Sequence, residues 1–235
     1  SGLPTTLAFT LPAGFAADEI RWPTPAKLPL GPLMNFGYEG VVLLPVAVQV
    51  PAGFRGETLA VKLRADWLVC KDVCIPEGGA FTLDVAAKAA TAAHGAEFAA
   101  TDAATPQPAA GARGRAALKD GALQVRIEGL PAAWHGQALQ FFSETAGVLH
   151  NAAPVQGQWS GGVWTASLVL DPQRSAGPST LPSVLTAPGQ RAGLEVAVAV
   201  DGAWPAIGQA AAAPLPSLGN ATVSPNAPAA AAAAA

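Results

Sequence analysis

The chain has 235 residues, 51% of them hydrophobic and only 12% charged, with a formal net charge of −3. That length holds one large domain or two ordinary ones, and the charge excludes a nucleic-acid surface, which needs clustered Lys and Arg. No run reaches the roughly 18 to 20 large apolar residues that a membrane-spanning helix requires.

The opening Ser1-Gly2-Leu3 has no initiator Met, no basic stretch and no apolar stretch, and reads as a mature or excised fragment. Trp22, in Arg21-Trp22-Pro23, is expected to close an edge of the first folded unit. Further on, Asn35-Phe36-Gly37-Tyr38-Glu39 sets two aromatics around a glycine. They suit either the start of a strand or a loop able to swing over a neighbouring site.

Beyond residue 60 the pattern is that of strands. Val61, Leu63, Ala65 and Trp67 alternate with Lys62, Arg64 and Asp66, and Phe81, Leu83 and Val85 flank Thr82 and Asp84. Leu123, Val125 and Ile127 repeat the alternation, as do Leu194, Val196, Val198 and Val200. A period of two puts one face in a core and the other in water. Gly and Pro punctuate these runs at Pro51-Ala52-Gly53, Glu77-Gly78-Gly79, Gly129-Leu130-Pro131 and Gly161-Gly162. Short strands at this spacing predict an all-β chain of two sandwiches. The expected division is a first sandwich over 1–90, an Ala/Pro-rich connector over 91–113, a second sandwich over 114–208 and a flexible tether over 209–235. Ala87 to Ala104 favours a short helix, which Thr105-Pro106-Gln107-Pro108 ends.

The two cysteines, Cys70 and Cys74, stand in "ADWLVCKDVCIPE". A disulfide needs Cα atoms roughly 4.4–6.8 Å apart, whereas four extended steps cover about 13 Å. If the two pair, the strand is expected to stop near Trp67 and the segment to curl into a tight turn, with Pro76 and Gly78-Gly79 as its exit. Three chemistries fit the spacing. As a staple, so small a loop is worth only about 2 kcal/mol. As metal ligands, two thiolates suit Cu(I) or half a zinc site, but Met34 is the only Met, and His94, His135 and His150 are distant in sequence. As a redox pair, Cys70 gains thiolate character from Lys71 while Asp72 opposes it. By parity Trp67 points to the core and suits packing better than catalysis. His135 and His150 have no cysteine or acidic cluster around them and read as surface residues.

The segment "WLVCKDVCIPE", preceded by "NFGYEGVVLLPVAVQVP", resembles the periplasmic N-terminal region of the DsbD family of thiol:disulfide interchange proteins. It is most similar to the ScsB-like branch, named for suppression of copper sensitivity. "SGLPTTLAFTLPAGF" and "IRWPTP" resemble that branch entered part-way into its first domain, and "FFSETAGVLHNAAP" resembles its second repeat. The resemblance implies immunoglobulin-like sandwiches in the periplasm, tethered to an inner-membrane domain that supplies electrons. It implies that Cys70 and Cys74 are the redox pair, with Cys74 forming the mixed disulfide with thioredoxin-fold partners. It also implies that Asn35, Phe36, Gly37, Tyr38 and Glu39 form a cap loop over the pair, with Trp67, Lys71 and Asp72 as modulators. No cofactor or metal is implied. Two departures stand out: DsbD itself has a wider cysteine spacing, and acidic residues precede its cap aromatic where this chain has Met34-Asn35. The rival expectations are an immunoglobulin-like binding module with a structural disulfide, and a copper-binding dithiol.

Overall fold

The computed structural model describes residues 3–88 and 93–207. The first block contains β1 (Thr6–Thr10), β2 (Ala16–Ala17), β3 (Ala26–Leu30), β4 (Leu33–Gly37), β5 (Val48–Gln49), β6 (Thr58–Cys70) and β7 (Cys74–Ala86). Helix α1 (Gly95–Asp102) follows. The second block contains β8 (Gln107–Pro108), β9 (Arg113–Lys119), β10 (Ala122–Glu128), β11 (Gln140–Ser143), β12 (Gln156–Ser160), β13 (Val163–Val169), β14 (Thr180–Thr186) and β15 (Leu194–Asp201). The chain is almost all β, in two sandwich-like units of immunoglobulin type with an Ala/Pro-rich connector between them.

In the second unit, strands run in the order β11-β14-β15-β9-β10-β13-β12. The sheet folds over on itself. Phe141 of β11 stacks on Trp164 of β13 with ring centroids 6.5 Å apart, although four strands separate β11 from β13. The alternating residues foreseen in β10 and β15 line this core: Leu123, Ile127 and Val198 are fully buried and Val125, Val196 and Val200 nearly so. Trp164 is 1% exposed, and a Cβ on Gly157 of the neighbouring strand would lie 2.5 Å from its indole nitrogen. Only glycine leaves room there for the ring.

The first unit is built differently. β1, β6 and β7 form a three-stranded antiparallel sheet, while β2–β5 and β3–β4 are separate two-stranded pairs. Register sets Leu63 between Phe9 and Phe81 on one face of the sheet. Leu59 and Ala65 are buried there, as alternation requires. On the edge strand β7, however, Phe81, Leu83 and Val85 are 51%, 64% and 37% exposed, so this end of the apolar face is not covered by the described residues. Alternation fixes which residues share a face, but not whether another layer covers it.

The α1 helix falls inside the stretch expected to be helical. It is too short to stand alone in water. Tertiary contacts fix it: Arg21 pairs with Asp102 at 2.9 Å, and the buried Thr101 donates to Leu43 O at 3.5 Å. The tether expected over 209–235 lies outside the described residues.

The contrast between the units is open to measurement by chemical denaturation. Trp164→Ala should cost about 3–5 kcal/mol, because it empties a closed core. Phe81→Ser should cost no more than about 1 kcal/mol, because half of that ring is already in water.

Candidate redox site

Cys70 and Cys74 are joined by a disulfide, with Cα atoms 4.1 Å apart. They are directly opposite each other as the last residues of β6 and the first of β7. The turn is a three-residue hairpin loop, Lys71-Asp72-Val73, in which Lys71 N–H donates to Val73 O at 3.2 Å. Strand β6 therefore continues three residues past Trp67, contrary to the expected stop. Pro76 and Gly78-Gly79 belong to β7 rather than to a turn exit. The reason is cross-strand geometry: directly opposed residues in an antiparallel pair approach to about 4.5–5.5 Å, so a hairpin closes the bridge without any helical turn. Pro76 is tolerated because β7 is a sheet edge, where one missing N–H breaks no ladder.

Cys70 is exposed and Cys74 half-buried. Lys71 and Asp72 extend into solvent from the loop, and Trp67 is half-buried opposite Glu77. What shields Cys74 comes from the β3–β4 hairpin. Its tip is the two-residue loop Gly31-Pro32 between the paired Leu30 and Leu33, with Gly31 at φ 55°. Glycine in the first loop position suits a primed hairpin turn.

Asn35 donates from Nδ2 to Cys74 Sγ at 3.9 Å, while its Oδ1 is buried and has no hydrogen-bond partner among the described residues. A donor to sulfur favours the thiolate, and an acceptor left bare beside a disulfide can take a proton donor once the sulfurs are thiols. Phe36, the next residue, points to the other face of the hairpin. There its ring meets Phe142 of β11 edge-on, with centroids 4.8 Å apart. Lys27, cross-strand partner of Phe36, sets its ammonium 5.6 Å from the Phe142 ring centre. Burial pushes the Lys27 amine below its ordinary pKa.

Gly37 ends β4 opposite Ala26, and Glu39 is exposed. Tyr38 closes the base of the hairpin: its hydroxyl donates to Pro23 O at 2.7 Å, and its ring stacks on Trp22 with centroids 6.5 Å apart. His135 and His150 are exposed and belong to the second unit. Among the described residues no three His, Cys, Asp or Glu side chains gather in a metal-binding group.

Phe142, Lys27 and Thr24 have no counterpart in the sequence reading. "KLPLGPLMNF", with Gly-Pro between two apolar runs, carried a hairpin signal that could have been used. Nothing local in the sequence marks Phe142 as facing away from its own core.

Burial raises the Tyr38 pKa to about 12. As this is the chain's one tyrosine, alkaline absorbance titration reports on it alone, and the midpoint should lie near 12 rather than 10. The neutral phenol is favoured in the fold. Its contribution to stability is therefore complete below pH 10 and lost as pH rises through about 12.

Residues 3–86 match the family model described as thiol:disulfide interchange protein DsbD, N-terminal. Among solved structures, the crystal structure of the N-terminal periplasmic domain of ScsB from Proteus mirabilis is similar, with a TM-score of 0.60 at 15% identity. That likeness covers 86% of this chain and 79% of the other, so it takes in both sandwich units. A search of curated proteins gives no match. The family match spans the strands that carry the disulfide, and the structural likeness extends the fold to the second unit. Residues 3–86 thus match the N-terminal domain model of the DsbD family, and the chain as a whole has a fold similar to that of the N-terminal periplasmic domain of ScsB.

Proposed function

We propose that the chain is a periplasmic thiol:disulfide exchange module, in which Cys70 and Cys74 pass electrons from a membrane-embedded domain to thioredoxin-like proteins. The observation that carries this reading is a disulfide at the exposed tip of a hairpin, inside a domain matched to a thiol:disulfide interchange family. A bridge across so few residues stabilises the fold little, about 2 kcal/mol in the chain-entropy account. Its position at the tip leaves Cys70 exposed and places Cys74 within a partner's reach once the hairpin that lies over it withdraws. The same reading assigns 1–90 to the redox sandwich, 91–113 to the connector and 114–208 to the second sandwich. Residues 209–235 serve as a tether to the membrane domain.

The reaction runs in two displacements. In the reduced protein the Cys74 thiolate attacks one sulfur of the partner's disulfide, forming a mixed disulfide and releasing the partner's other sulfur as a thiolate. The Cys70 thiolate then attacks the Cys74 sulfur, closing the Cys70–Cys74 bridge and expelling the partner's second thiolate. Two electrons have moved to the partner, whose thiolates take up two protons. Asn35 favours Cys74 as the first nucleophile, because its Nδ2–H stabilises charge on that sulfur. In the oxidised form, Asn35 and its hairpin act as the cap and must withdraw before a partner can reach Cys74.

Equilibration against glutathione buffers should give a reduction potential between about −180 and −290 mV, the range of disulfide carriers. A value well below about −300 mV would identify a structural bridge and favour the binding-module alternative. Cys70→Ala should accumulate a covalent adduct, visible on a non-reducing gel, with a thioredoxin that keeps only its exposed cysteine, activated as a mixed disulfide with 5-thio-2-nitrobenzoate, because the small thiolate leaves and neither protein then has a second thiol to resolve the bond. Cys74→Ala should accumulate far less. Equal trapping by both variants would remove the assignment of Cys74 as the partner-facing sulfur.

A further inference from the structure

Phe141 and Phe142 are neighbours on β11 and both are buried, but for different reasons. Phe141 lies in the core of the second sandwich, 3% exposed. Phe142 points to the opposite face, outside that core, and is nevertheless only 2% exposed. Phe36 and Lys27 of the β3–β4 hairpin lie against it. The second sandwich thus keeps a large aromatic on its outer face that is buried with the hairpin's help.

A second anchor lies just before β3. The backbone N–H and the hydroxyl of Thr24 both donate to Ala104 O, at 2.8 and 2.7 Å. The same hydroxyl oxygen accepts from Gly193 N–H, next to β15, at 2.7 Å. The hairpin is therefore pinned at its root by the segment after α1 and by the second sandwich, and along one face by Phe142. Its other face carries Asn35 against Cys74.

We propose that Phe142 is a positioning residue for the dithiol, holding the β3–β4 hairpin, and with it Asn35, against Cys74, so that the second sandwich governs access to that sulfur. This rests on the exchange reading above and adds a role for the second sandwich within it. The hairpin is a wedge with two working faces. Loosening the Phe36–Phe142 contact frees Asn35 without touching the disulfide or the sheet that carries it. An approaching partner has the same contact to break.

The test is the rate at which dithiothreitol reduces the oxidised full chain, followed by thiol release. The reductant's two thiols become its cyclic disulfide, and two electrons and two protons pass to Cys70 and Cys74. Phe142→Ala should react roughly 2- to 10-fold faster than the parent chain, the size expected from losing one aromatic pair. Phe142→Leu keeps an apolar contact and should return most of the way to the parent rate. Asn35→Ala should also react faster, and adding Phe142→Ala to it should bring little more, since one acts through the other. Full additivity of the two would overturn the proposal, as would a folded Phe142→Ala protein reduced at the parent rate. Should Phe142→Ala fail to fold, Thr24→Val removes the root anchor, leaves the second core intact and is expected to give the same acceleration. Failure of the exchange reading looks different: the potential falls below the carrier range, while the rate comparison can still be made.

Discussion

The site depends on the alternation of side chains in one two-stranded hairpin. Successive residues of β4 face opposite sides, so Asn35 and Phe36, joined by a single peptide bond, touch different parts of the molecule. One meets a sulfur of the first sandwich and the other an aromatic of the second. Such a hairpin is marginal by itself, as two strands bury too little to be stable in water. It holds its place because both faces and its root are occupied. This is why a chemical event at Cys74 and a packing contact at Phe142 are parts of one arrangement.

The disulfide gains its character from a similar constraint. Cys70 and Cys74 are opposed at the very end of the β6–β7 ladder, as the last of its thirteen paired positions, so the two backbones are already held together below them. The bond adds little order to a loop that the strands have already closed. Breaking it removes one link at the tip and leaves the ladder below intact. A bridge whose loss costs the fold little is one that can be cycled, and one half-exposed at a hairpin tip is one that can be reached.

The two sandwiches divide the labour of stability. The second has a closed core around Leu123, Ile127, Trp164 and Leu181, with its sheet folded over both sides. The first leaves part of its apolar face exposed along β7 and relies on long strands and on contacts made by its hairpin and loops. A closed core of the second kind is a suitable support for the marginal hairpin of the first. Phe142 gives a firm surface because Phe141, beside it, is locked into the core.

The main alternating strands of both units were legible in the sequence, because a period of two is a local property of the chain. β6, β7, β10 and β15 contain the runs that alternation marked, and the helix lies within the Ala-rich stretch. The cysteine pair was visible as a pair, and the residues around it carried the family resemblance that the match over residues 3–86 bears out. The sequence did not disclose that Cys70 and Cys74 face each other across a ladder, since that depends on register, which a neighbouring strand sets. Nor did it disclose that Phe81 and Leu83 stay in water, because alternation names a face and not its cover. Least of all could it distinguish Phe141 from Phe142. Both are adjacent aromatics in one short strand, and which one lies in a core and which one holds a hairpin is decided only where distant segments meet. Local pattern determined the elements and marked the cysteine pair. The long-range packing of β3–β4 decided what lies against that pair, because Asn35 meets Cys74 only where Phe36, on the opposite face, meets Phe142.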